Sequence, residues 1–168
     1  MKRVLITGIS GTGKSVLIEV LQAHGHKAVD VDQDEYSQWV EVENEHDEYG
    51  STVEPGRDWV WRADRIQELL SKEDADVLFL SGCSANMGQF YPQFDQVVLL
   101  SAPEEIILER LMTRTNNLYG KRPEEARRVI ELKESVEPIL REKASDEIDT
   151  NQDMDTIVAK LIRIAQSG

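Results

Sequence analysis

Gly8-Ile9-Ser10-Gly11-Thr12-Gly13-Lys14-Ser15 decides the reading of this chain, because it spells G-x-x-x-x-G-K-[ST] in a setting that gives the pattern physical meaning. Val4-Leu5-Ile6 before it is a short apolar run suited to a buried parallel strand. Val16 to Leu21 after it is helix-competent, and Gly25 is placed to end that helix. Glycines let a backbone wrap an anion with its N–H groups turned inward, and a helix N-terminus adds partial positive charge. The pattern therefore predicts a nucleoside triphosphate site at Gly8, Ser10, Gly11, Thr12, Gly13, Lys14, Ser15 and Val16. Lys14 is expected to reach the β- and γ-phosphates, and the Ser15 hydroxyl to reach Mg²⁺. The competing reading is an ordinary glycine turn.

The rest of the chain alternates strand and helix signals. Lys27-Ala28-Val29, Val77-Leu78-Phe79-Leu80, Gln96 to Leu100 and a weak Glu147 to Thr150 read as strands. Helices are expected from a capping box at Ser101-Ala102-Pro103-Glu104 as far as Arg114, and from Pro123 toward Lys143. A closing helix carries Met154, Ile157, Val158, Leu161, Ile162 and Ala165 as an apolar stripe, which reads as core packing. This order predicts an α/β fold, a three-layer parallel sheet with right-handed crossovers and helices on both faces. Ligands in such sheets gather beyond the carboxyl ends of the strands, so Gly8, Asp30, Asp32, Ser81, Gly82 and Thr150 should share one rim. Residues 1–168 are expected to form a single domain. Within it, about 33–75 is expected to be a mainly helical acceptor flap, rich in Glu41, Glu43, Glu45, Asp47 and Glu48 and followed by Pro55-Gly56. Residues 115–122 are expected to form a basic, turn-rich lid.

Composition narrows the function classes. A net charge of −13 repels phosphate backbones and anionic surfaces, which argues against nucleic acid and membrane partners and against a polynucleotide end kinase. Cys83 is the sole cysteine, so neither an internal disulfide nor a cysteine metal cage is possible; a small buried hydrophobe is its expected role. His24, His26 and His46 show no ligand spacing. With Met1-Lys2-Arg3 leading into the first strand and no long apolar span, a cytoplasmic protein is expected, as a monomer or homodimer.

Beyond the loop, phosphoryl transfer needs positioning and charge neutralisation. Asp30 and Asp32, two apart at a strand end, can point the same way. One would meet Mg²⁺ and the other would accept a proton from an acceptor hydroxyl; the alternative is a pair of turn carboxylates before a helix at Glu35. Arg110 and Arg114 share a helix face, where Arg110 could stack on an adenine and Arg114 could stabilise the transferring phosphoryl. The alternative is a solvated pair beside Glu105 and Glu109. Arg62 follows Trp59 and Trp61 and could face an acceptor; Lys121, Arg122, Arg127 and Arg128 are looser lid cations.

With the loop, the flap, R-x-x-x-R at Arg110/Arg114 and the lid in this order, nearly the whole chain resembles the small P-loop kinases of the nucleoside monophosphate kinase and shikimate kinase superfamily. The resemblance implies a five-stranded sheet in the order 2-3-1-4-5. It also implies that Arg110 and Arg114 contact adenine and phosphates, and that Asn151 and Gln152 lie in the loop passing the adenine. The D-x-D at Asp30-Val31-Asp32 is similar to the shikimate kinase arrangement for Mg²⁺ and the acceptor hydroxyl. The acceptor side departs from the pattern. Where monophosphate kinases carry D-G-[FY]-P-R, this chain reads Ser81-Gly82-Cys83-Ser84-Ala85, and where shikimate kinases carry a glycine triplet, Gly82 stands alone as a substrate-side candidate. The expectation is an ATP- and Mg²⁺-dependent phosphotransferase with Lys14, Asp32 and Arg114 in catalysis, acting on a small-molecule hydroxyl or a nucleoside monophosphate. The other class kept open is a nucleotide-binding regulator or slow ATPase without an acceptor.

Overall fold

The computed structural model describes residues 1–43, 54 and 56–167. Glu45, His46, Asp47, Glu48 and Pro55, named above, lie outside them. Strand β1 (Lys2–Thr7) is the middle of a five-stranded sheet, between β5 (Val77–Ser81) and β6 (Gln96–Ser101). Strand β2 (Lys27–Asp30) flanks β5 and β7 (Asp146–Asp149) flanks β6, and every pairing is parallel. Setting aside the hairpin described below, the order is 2-3-1-4-5, as the resemblance implied.

Strand alternation builds the three layers. Val4 and Ile6 face one way, onto Leu17, Ile18 and Leu21 of α1 (Lys14–Ala23) and Ile157, Leu161 and Ala165 of α6 (Met154–Gln166). Leu5 faces the other way, with Leu78 and Leu80, onto Ile66, Leu69 and Leu70 of α2 (Ala63–Ser71) and Leu140 of α5 (Glu137–Lys143). Gly25, at φ +84°, ends α1. None of the described helices is long and apolar enough to cross a membrane.

Three expectations are corrected. The flap is not mainly helical: β3 (Ser37–Glu41) and β4 (Arg57–Trp61) form an antiparallel hairpin, with Trp39 opposite Trp59 and Ser37 opposite Trp61. Helix α2 starts only after it. The hairpin is tied to the domain core by Trp61, which is buried beside Phe90. The expected capping box is not made: α3 (Glu104–Thr113) starts with Pro103 at its N-cap, which has no side-chain acceptor, while Ser101 ends β6 and its hydroxyl donates to Glu147 at 2.8 Å. The helix after Pro123 is two helices, α4 (Pro123–Ser135) and α5, broken at Val136. Pro138 lies within the first turn of α5, where a missing N–H costs least.

Candidate functional site

The strand registers bring one set of carboxyl ends level: Asp30 is beside Ser81, Ile6 beside Ser81, Thr7 beside Leu99, and Ser101 beside Asp149. Over this rim opens a cleft of about 1100 Å³. Gly8, Ser10, Gly11, Gly13, Lys14, Ser15, Val16, Asp30, Asp32, Arg110, Arg114 and Gln152, singled out from the sequence, all line it.

Local crowding explains the loop's glycines. A Cβ on Gly8 would lie 2.6 Å from the Leu100 carbonyl oxygen. Gly11, at φ +87°, has Ile107 Cγ2 only 2.9 Å from where its Cβ would be. Thr12 is buried rather than in the cleft; its hydroxyl donates to Ile9 O at 2.9 Å, and its carbonyl accepts from Thr150 Oγ1 at 2.7 Å. The Lys14 ammonium folds back on the loop, donating to Gly8 O at 2.6 Å and Ile9 O at 2.9 Å. These carbonyls hold the cation where a polyphosphate would compete for it.

Ser15 Oγ donates to Asp30 Oδ2 at 2.8 Å, and Asp30 Oδ1 accepts from the Asp32 N–H at 3.0 Å. Asp30 thus closes the turn through Oδ1 while its Oδ2 faces the Ser15 hydroxyl. A hydroxyl and a carboxylate in contact, with Asp32 nearby, are a hard-oxygen set that fits Mg²⁺ completed by water and phosphate oxygens. Among the described residues no cluster of three or more His, Cys, Asp or Glu has metal-binding geometry.

Asp32 accepts the Cys83 N–H at 3.1 Å to Oδ2 and 3.3 Å to Oδ1. Burial pushes its pKa up to about 7, with the Asp30 charge adding to the rise and Lys14 opposing it. The indole N–H of Trp61 favours the ionised form weakly, although Trp61 Nε1 meets no acceptor within hydrogen-bond geometry among the described residues. Gly82 lies beneath this carboxylate and outside the cleft lining: a Cβ there would sit 2.9 Å from Val31, 3.0 Å from Asp32 Oδ1 and 3.0 Å from Trp61. Its absent side chain is what lets Asp32 and Trp61 close over the strand end.

Arg110 clasps Thr150, donating to Oγ1 and to the carbonyl at 2.8 Å each. Arg114, the residue that caps α3, donates to Tyr119 O at 2.6 Å and to Ser10 Oγ at 3.1 Å, joining the segment after α3 to the loop. Partial burial lowers the pKa of both arginines. Arg114 Nε and the Tyr119 hydroxyl are buried without partners among the described residues. Arg62 is turned to Asp34 O at 3.1 Å and does not line the cleft, and neither does Asn151, whose N–H caps Asp149 Oδ1 at 2.8 Å. Reading the sequence missed Trp39 and Asp58, which do line it. The only local signal was compositional: Trp39-Val40 and Trp59-Val60-Trp61 are aromatic and β-branched, as strands favour, but neither stretch alternates polar and apolar residues.

A family model described as "AAA domain" matches residues 4–134. No curated protein sequence matches significantly. Among solved structures, the shikimate kinase from Acinetobacter baumannii in complex with shikimate aligns over 99% of this chain and 96% of its own, at 18% identity and TM-score 0.63. Shikimate kinase from Bacteroides thetaiotaomicron aligns over 99% of both chains, at 18% identity and TM-score 0.64. A gluconokinase from Sinorhizobium meliloti 1021 aligns over 98% of this chain and 94% of its own, at 18% identity and TM-score 0.57. At such identities the likeness is one of fold, and the fold is that of the small P-loop kinases.

Proposed function

The chain belongs to the AAA-domain family of P-loop proteins, and from that premise we propose that it transfers the γ-phosphoryl of Mg-ATP to a small-molecule hydroxyl. The observation that carries this reading is the convergence on one cleft of Lys14 on the loop carbonyls, Ser15 on Asp30, and Asp32 beside them. Loop amides and Lys14 hold the β- and γ-phosphates. Ser15 and Asp30 would hold Mg²⁺, which when bound would supply charge neutralisation at the phosphates. Asp32 receives the acceptor's proton as its oxygen bonds to the γ-phosphorus; the bond from that phosphorus to the β–γ bridging oxygen breaks and ADP leaves. Arg114 neutralises charge on the transferring group, and Arg110 and Gln152 border the base.

The discriminating experiment is ADP release by wild type and Lys14→Ala with and without hydroxylated acceptors. One preorganised electrostatic donor is worth about 10²–10³ in kcat. A Lys14→Ala rate within twofold of wild type would refute the role given to that ammonium. A basal rate that no acceptor changes would favour the second reading, a nucleotide-binding regulator or slow ATPase. The position of Arg62 outside the cleft lining is what keeps that second reading in view.

A further inference from the structure

The cleft has two chemically different halves. Lys14, Arg110 and Arg114 lie on the loop side. Away from the loop the walls include Asp34, Glu35, Asp58, Trp39 and Trp59, and no lysine or arginine among the described lining residues. From Gln33 to Gly56 the sequence itself carries eight carboxylates and neither Lys nor Arg. Two guanidinium groups border this half without lining it: Arg62 donates to Asp34 O at 3.1 Å, and Arg57 pairs with Glu54 at 2.5 Å.

An acceptor bearing a carboxylate or phosphate would enter this half against the lining carboxylates, with no guanidinium among the described lining residues to receive it. The aromatic pair points the same way. Trp39 and Trp59 have ring centroids 5.1 Å apart at 64°, and Trp39 is more than one-third exposed. The attraction of this hairpin for cations is already visible, because the Arg57 guanidinium lies 3.9 Å from the Trp39 ring centroid. Carboxylates beside indole faces are the chemistry that recognises an ammonium group.

We infer that the acceptor is a hydroxylated amine, its ammonium set among Asp34, Glu35, Asp58 and the Trp39/Trp59 pair and its hydroxyl presented to Asp32. The inference rests on the phosphotransferase reading above. Atoms balance as in that reading: the amine's hydroxyl oxygen takes the phosphoryl group of Mg-ATP, the hydroxyl proton passes to Asp32, and ADP departs while the ammonium is unchanged.

The test uses matched triplets at saturating Mg-ATP: glucosamine, glucose and gluconate, then serinol, glycerol and glycerate. In at least one triplet the amine should exceed both counterparts in kcat/KM by about tenfold. Its advantage should shrink with added salt and vanish on N-acetylation. Trp39→Ala, on an exposed hairpin position, should raise KM for the amine about tenfold and leave the affinity for a non-hydrolysable ATP analogue unchanged. An amine equalled by a neutral or acidic counterpart in both triplets overturns the inference. So does a panel without amine-dependent ADP release from protein that binds the analogue normally. Failure to bind the analogue would instead remove the phosphotransferase reading itself.

Discussion

Asp32 shows most clearly how one residue's surroundings set its chemistry. With an unfolded-state pKa near 3.8 and a folded value of about 7, its neutral form is favoured in the fold. Well below pH 3.8 both states are protonated and the carboxyl costs nothing. As pH rises toward 7 the unfolded chain ionises first, so stability falls across that window by roughly a few kcal/mol. Magnesium-free Asp32→Asn protein should therefore lose less stability than wild type between pH 4 and 7 in urea melts; identical slopes would contradict the burial argument. Gly82→Ala should destabilise by about 1–3 kcal/mol, since its Cβ would press on Val31, Asp32 and Trp61. At this chain length that lowers Tm by several degrees; an unchanged melting curve would show that the neighbours yield. The sequence announced the loop residues because G-x-x-x-x-G-K-[ST] is a local pattern. It placed Gly82 among the substrate candidates because crowding under Asp32 depends on Val31 and Trp61 arriving from other elements.

The hairpin carries the acceptor side at the scale of elements, and Asn86 holds it down. Its Oδ1 accepts the Trp61 N–H at 2.8 Å, and its Nδ2 donates to the Trp61 carbonyl at 2.9 Å. One side chain thus acts as an extra strand for a buried indole's backbone. Replacing it by Ala leaves both groups unmet, at about 1–3 kcal/mol per unsatisfied group. Asn86→Ala should lower the urea midpoint and raise amide exchange in β4 above that in β1; uniform exchange would contradict the tie. The main strands were legible because buried parallel strands are continuous apolar runs, as in Val77 to Leu80. The hairpin was not, because Trp59, Ile66, Leu69 and Leu70 lie at spacings that also fit one helix, and only pairing with Ser37–Glu41 separates the two. The capping box at Ser101 was misread for a related reason: pairing with β7 carries β6 through Ser101, so the helix starts only after Pro103.

Across the whole molecule, charge opposes the proposed ligand. A chain of net charge −13 that binds a polyphosphate must concentrate its cations locally, and Lys14, Arg110 and Arg114 all face one cleft. Mg²⁺ would further reduce the repulsion, so nucleotide binding should weaken when magnesium is withheld. The layer arrangement followed from strand–helix alternation, and the sheet order from the family resemblance. The acceptor half could not be read so directly, because the residues that shape it come from β3, β4 and the turn after β2. The central claim is tested most directly by calorimetric titration with a non-hydrolysable ATP analogue, with and without Mg²⁺, on wild type and Lys14→Ala. Saturable one-site binding that needs Mg²⁺ and falls at least about tenfold in the variant is the predicted result. No binding by folded wild-type protein, or equal affinity in the variant, would contradict it.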